Sequence, residues 1–208
     1  MSETGIRRQV ERYYTDKVVA HGPTARGVDW NSVESQRMRF AQLFKIVDPT
    51  NSFSINDYGC GYGALLDYLE EDKLPFQYCG FDISTEMISA ARKLHPSADR
   101  IAFVTRESDL QPADYTVASG IFNVRLETPE DEWQQYVLHT LHSIHELSRR
   151  GFAFNVLTKY SDPEFMRPTL YYADPVVLFD YCKSHFSRFV ALLHDYPLYE
   201  FTVLVRRQ

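Results

Sequence analysis

Three glycines at alternate positions, Gly59, Gly61 and Gly63, stand in the run NDYGCGYGALL between an acidic segment and an apolar one. Glycine at such positions permits positive φ and lets backbone N–H groups approach a ligand where a helix begins. Cys60, inside that run, reads as a small loop side chain in a reducing compartment. Nineteen residues beyond Gly63 the segment GFD ends on Asp82, and a carboxylate at that spacing can accept hydrogen bonds from both hydroxyls of a ribose. Ser84 can cap the helix that follows, which leaves Asp82 free. The combination points to an adenosine-type ligand. Asp57, two residues ahead of the first glycine, is badly placed for a pyrophosphate but well placed for a cationic amino group. The same residues GCGYGA also fit GxGxxA, so a nicotinamide or flavin reader is the competing possibility.

These residues need a strand end and a helix start beneath them, and the sequence supplies both. Strands are expected near 53–58, 76–82, 101–105, 115–119 and 151–157, alternating with helices near 63–71, 85–94 and 130–149, and a further helix near 174–186. That alternation predicts a parallel sheet covered on both faces. The terminal run RFVALLHDYPLYEFTVLVRR has no room for a crossover helix, so its two apolar segments form an antiparallel hairpin. Ahead of the first strand, Val10, Tyr13, Tyr14, Val18 and Val19 mark one amphipathic helix, stopped by Gly22-Pro23. Asn31 with Glu34 reads as a capping box opening a second helix. The expectation is one domain over 1–208, with a helical cap at 1–50 and a core at 51–208.

DYGCGYG at 57–63, FDIS at 81–84, YTVAS at 115–119 and the terminal hairpin together resemble the class I S-adenosylmethionine-dependent methyltransferases. The resemblance implies an α/β, Rossmann-like seven-stranded sheet, mostly parallel with a C-terminal antiparallel hairpin and helices on both faces. It also implies S-adenosylmethionine as cofactor. The methionyl part would lie against Asp57, Gly59, Cys60, Gly61 and Gly63, the ribose on Asp82, and the adenine on Ile83. Ser119, Gly120 and Asn123 would stand where sulfonium and nucleophile meet. One of Glu107, Ser108 and Asp109 would complete the adenine pocket. Trp30 reads as a wall of the cavity, with Gln36 and Arg39 reaching the cofactor carboxylate. Should the accepting atom need to lose a proton, the candidate bases are His21, Asp29 and Tyr14.

The aromatic loop at 159–175, with Tyr160, Phe165, Tyr171 and Tyr172, and the short cap suit a small-molecule acceptor. Lys and Arg number 22 against 28 Asp and Glu, a formal net charge of -6, which disfavours a nucleic-acid backbone as partner. No apolar stretch reaches the roughly 20 residues of a membrane span, so a soluble, cytoplasmic protein is expected. Three scattered cysteines support no disulfide framework or metal knuckle. The histidines His139, His142 and His145 read as one partly exposed helix face, with no metal site expected. Two other functions stay open at this level: a nicotinamide-dependent oxidoreductase, and a non-catalytic S-adenosylmethionine-binding protein.

Overall fold

The computed structural model of the chain describes residues 2–71, 75–96 and 98–207. Helix α1 (Glu3–His21) starts at Ser2, whose side chain accepts from Gly5 N, and stops at Gly22, where φ is +66°. A 3-10 turn at Ala25–Val28 leads to α2 (Val33–Phe44). Its cap is Ser32, not the expected Asn31. The Ser32 hydroxyl accepts from Ser35 N at 3.1 Å, the amide three residues on that a capping oxygen must reach.

From β1 (Phe53–Tyr58) the chain alternates α3 (Ala64–Glu71), β2 (Phe76–Phe81), α4 (Thr85–Leu94), β3 (Ile101–Val104), β4 (Ala113–Ala118), α5 (Glu130–Glu146), β5 (Ser148–Leu157) and α6 (Pro175–His185). It closes with β6 (Phe189–Leu193) and β7 (Glu200–Arg206). The sheet order is β3-β2-β1-β4-β5-β7-β6. β1 to β5 run parallel and β7 lies antiparallel between β5 and β6. Strand β5 begins three residues earlier than expected. The Ser148 hydroxyl donates to Ile144 O at 2.6 Å, closing α5, and Ser148 already pairs with Ala113 across a register shift in β4.

Alternate side chains of the strands feed two cores. Phe152, Phe154 and Val156 of β5, with Phe201 and Val203 of β7, pack beneath α1, α5 and α6. Ile55, Ala153 and Leu204 point to the other face, where Phe40, Leu43, Leu66 and Leu69 of α2 and α3 cover them. Trp133 of α5 is fully buried, and its indole N–H donates to Phe122 O at 3.0 Å. Strand order reverses between β1 and β4, so their carboxyl ends open the crevice where open α/β sheets hold ligands.

Candidate active site

The turn from β1 into α3 places all three glycines in the left-handed region, with φ of +82° at Gly59, +55° at Gly61 and +90° at Gly63. Space is closed as well. A Cβ on Gly59 would fall 2.2 Å from Ile121 Cγ2, and one on Gly61 2.9 Å from Val28 Cγ1. The N–H groups of Gly59 and Cys60 donate to Phe81 O at 2.7 and 2.9 Å, which ties the turn to the end of β2. Asp82 ties it again: its Oδ2 accepts from Gly61 N and its Oδ1 from Ser84 N, both at 2.9 Å. Ser84 itself caps α4 by accepting from Met87 N. Cys60 is buried and burial pushes its thiol well up. Its sulfur fills the notch left by Gly80, where a Cβ would fall 2.8 Å away.

A cavity enclosing about 850 Å³, its open mouth included, lies over this turn, bordered by Asp57, Gly59, Cys60, Gly61, Asp82, Ile83, Ser119 and Gly120. Tyr14, Trp30 and Gln36 close it from the cap. Asp57 is 3% exposed and accepts from the Tyr78 hydroxyl at 2.8 Å. Burial raises its carboxyl to about 7. Burial likewise raises Asp82 to about 6, held from going higher by the two backbone donors. An arriving cation or hydroxyl donor favours the ionised form of both carboxyls. The Ser119 hydroxyl is buried on the same wall with no hydrogen-bond partner among the described residues. A glycine cradle, two buried carboxyls and an orphaned hydroxyl fit a nucleoside that also carries an amino group.

A second cavity, about 1380 Å³ with its mouth included, shares Tyr14, Val28, Trp30 and Gly120 with the first. Trp30 is the divider. A Cβ on Gly120, where φ is +74°, would fall 2.3 Å from the indole edge, so only glycine admits the ring. The Arg39 guanidinium stacks on the indole at 3.9 Å. Arg39 Nε donates to both Glu200 oxygens at 2.8 and 2.9 Å and Nη2 adds a third contact, while Nη1 has no partner among the described residues. Glu200 is fully buried, so the pair pins the cap to β7 through charge as well as packing. Phe165, Leu170, Tyr172 and Tyr199 form much of the remaining wall.

The other sequence-derived candidates are distributed as follows. Gly63 packs against His95 and does not border the first cavity. Arg39 and Asn123 border only the second cavity, and the Asn123 side chain accepts from Leu157 N at 3.1 Å. Asp29, with φ +62°, also borders the second cavity, but its carboxylate accepts from Tyr13 and Lys17, each at 2.6 Å. His21 is exposed at the end of α1 and borders neither cavity. Tyr14 sits at the junction with its phenol pushed up by burial, a hydrogen-bond donor rather than a base. Glu107 pairs with Arg7 and Asp109 with Arg106; neither they nor Ser108 border the first cavity. Tyr171 is buried in the core and Tyr160 packs on His194. His142 meets the Tyr181 hydroxyl and His145 stacks on Phe186. Sequence reasoning missed Met87, Ile121 and Tyr136 on the wall of the first cavity and Glu200 behind Trp30. For Glu200 the available signal was an acid at the head of a mostly apolar strand.

The family described as "Methyltransferase domain" matches residues 57–150. A protein of Mycobacterium tuberculosis (strain ATCC 25618 / H37Rv) named "Putative methyltransferase Rv1506c" is 52% identical over 163 residues, spanning 78% of this chain and 98% of that protein. Among solved structures, magnesium protoporphyrin IX methyltransferase (ChlM) from Synechocystis PCC 6803 with bound SAH superposes with a TM-score of 0.67 at 15% identity, covering 99% of each chain. A DhpI-SAM-HEP complex gives 0.66 at 13% identity, covering 98% of each. A nicotinamide-binding reading is not favoured by these relationships. No helix among the described residues is long and apolar enough to cross a membrane. With the glycine turn at the reversal of strand order and a close relative across most of its length, the chain belongs to the class I S-adenosylmethionine-dependent methyltransferases, enzymes that take S-adenosylmethionine as methyl donor.

Proposed function

We propose that the acceptor is a small molecule held in the second cavity, and that transfer occurs at the ring of Tyr14, Val28, Trp30 and Gly120 common to both cavities. The shared ring is the observation that carries this reading, because in-line displacement needs donor and acceptor to meet through one opening. When bound, S-adenosylmethionine supplies a methyl group on a positively charged sulfur. The residues of the chain supply position and exclude water. Asp57 receives the donor's ammonium, Asp82 its ribose hydroxyls, and Ile83 one face of its base. Gln36 lies on the donor cavity and Arg39 behind Trp30, so Gln36 meets the donor's carboxylate and Arg39 positions the indole. Alignment of this kind is worth roughly 7 to 11 kcal/mol at its limit.

The second cavity is walled largely by aromatic rings; of its charged residues Arg39 pairs with Glu200 and Asp29 with Lys17, while Glu164 and Arg167 stand at exposed positions on its border. An acceptor with an apolar or planar body and few formal charges suits that lining. Arg39 Nη1 is left to donate to one of its oxygens. Neither His21 nor the ion-paired Asp29 faces the shared ring as an uncommitted base, so the favoured acceptor carries its own nucleophilic lone pair or an acidic hydroxyl. The test is transfer of labelled methyl from S-adenosylmethionine into a cell extract separated by ultrafiltration. Label in the small-molecule fraction supports the reading. Label confined to protein or nucleic acid overturns it.

A further inference from the structure

The end of the sheet opposite the glycine turn holds a second concentration of charge, of the other sign. The start of β5, the end of β7 and the turn after α2 converge there on a shallow cavity of about 640 Å³, its open side included. Lys45, Arg149, Arg150, Arg206 and Arg207 border it, with Asp48 as the sole carboxylate among the described residues of the lining. The ten residues of β5, at about 3.3 Å each, keep it well clear of the donor site. Five cations in one recess of a chain whose net charge is -6 are costly to assemble without an anion, since like charges so grouped repel through a low-dielectric wall.

Two of the guanidinium groups, those of Arg206 and Arg207, are fixed by backbone carbonyls that do not neutralise them. Arg206 Nη2 donates to Lys45 O at 2.7 Å. Arg207 Nη1 donates to Ser148 O at 2.6 Å and His145 O at 3.2 Å. Among the described residues Arg150 alone of the five meets a carboxylate, Asp48 at 3.2 Å, and its guanidinium lies over the Tyr115 ring at 5.2 Å. Lys45 Nζ touches the neutral Gln42 amide at 2.5 Å, and Arg149 is exposed with no charged partner among the described residues. The neighbouring His145 registers the resulting field: burial and then the Arg207 charge hold its imidazole below its ordinary range. Guanidinium groups held in place this way keep their remaining N–H donors for planar, multi-oxygen anions, and the ordering cost of binding is reduced in advance.

We infer that this recess is a binding site for a phosphate-bearing anion, separate from the methyl-transfer site and independent of how the acceptor is identified. The experiment uses the full chain at low ionic strength. Inorganic pyrophosphate is titrated in by calorimetry, and in parallel the chain is floated with phosphatidylcholine vesicles with and without phosphatidylglycerol. Saturable pyrophosphate binding without flotation assigns the site to a free phosphate compound. Flotation confined to the anionic vesicles assigns it to a phospholipid headgroup. Either result must weaken by at least about tenfold in Lys45→Glu/Arg149→Glu, while Arg8→Glu/Lys93→Glu, with the same change in charge on distant exposed positions, retains it. Melting temperature and S-adenosylhomocysteine binding are expected unchanged in both; if the first double variant unfolds, Arg149→Ala takes its place. Absence of binding in both arms, equal binding by the variant, or equal loss in the control overturns the inference.

Discussion

The two walls of the proposed transfer site are built by different means. The donor wall, Gly59 to Tyr62 with Asp82, is set by backbone: positive φ and N–H groups bonded to Phe81 O and the Asp82 carboxylate. The acceptor wall is set by side chains from remote parts of the chain, with Trp30 clamped between Gly120 and an arginine that reaches across 161 positions to Glu200. A wall fixed by local backbone tolerates little change in residue type but keeps its shape. A wall fixed by an ion pair and a stacked ring can change specificity by substitution and can be dismantled by a single one.

Removing the partner from that clamp is expected to have the largest effect. Glu200→Ala leaves Arg39 charged and buried, and should cost about 3 to 5 kcal/mol of stability, measured by denaturant unfolding; a cost under 1 kcal/mol would mean that the pair does not hold the cap. Gly59→Ala comes next. A side chain at positive φ costs about 1 to 2 kcal/mol, and contact with Ile121 adds about 1 to 3; S-adenosylhomocysteine binding by calorimetry should disappear before the fold does. Asp82→Asn keeps an acceptor for Gly61 N but weakens the hold on ribose hydroxyls. It should raise the Kd for S-adenosylhomocysteine by about 10- to 100-fold, or 1.4 to 2.7 kcal/mol, with a smaller shift in Tm.

The smallest effect is a pH dependence. Burial places the folded Asp57 carboxyl at about 7, above its unfolded value, so its contribution to the stability of the free protein is complete below about pH 4 and is lost as pH rises through about 7. A bound ammonium favours the ionised form. Donor affinity should therefore rise with pH and level off above about 7, gaining at most about tenfold per unit from this group. Calorimetry in buffers of different ionisation enthalpy should show protons released near pH 6, and Asp57→Asn should leave only the smaller part belonging to Asp82, whose carboxyl burial also raises, to about 6. An affinity flat across this range would remove Asp57 from the ammonium.

This contrast also explains what could be read from the chain alone. Strand and helix alternation, the hairpin and the glycine turn are local patterns, and the sheet with its donor wall followed from them. The cap of α2 was misplaced by one residue because Asn31 and Ser32 are both good capping residues, and only the reach to Ser35 N separates them. The early start of β5 was hidden because Arg149 and Arg150 look unlike a strand until their place at the sheet's end is known. Arg39 was noticed as a cation on α2, but Glu200 was not, since no short-range pattern links the two. His21 and Asp29 flank the right loop; the fold turns one to solvent and commits the other to Lys17.

The position of Trp30 gives the protein a built-in optical probe. The chain has two tryptophans. Trp133 is sealed in the core with its N–H satisfied, so its emission should be blue-shifted and indifferent to ligands, whereas the indole at the border of the two cavities should change intensity as either fills. Donor and acceptor occupancy thus become separable by fluorescence titration in a Trp133→Phe background, without a label and before the acceptor is known.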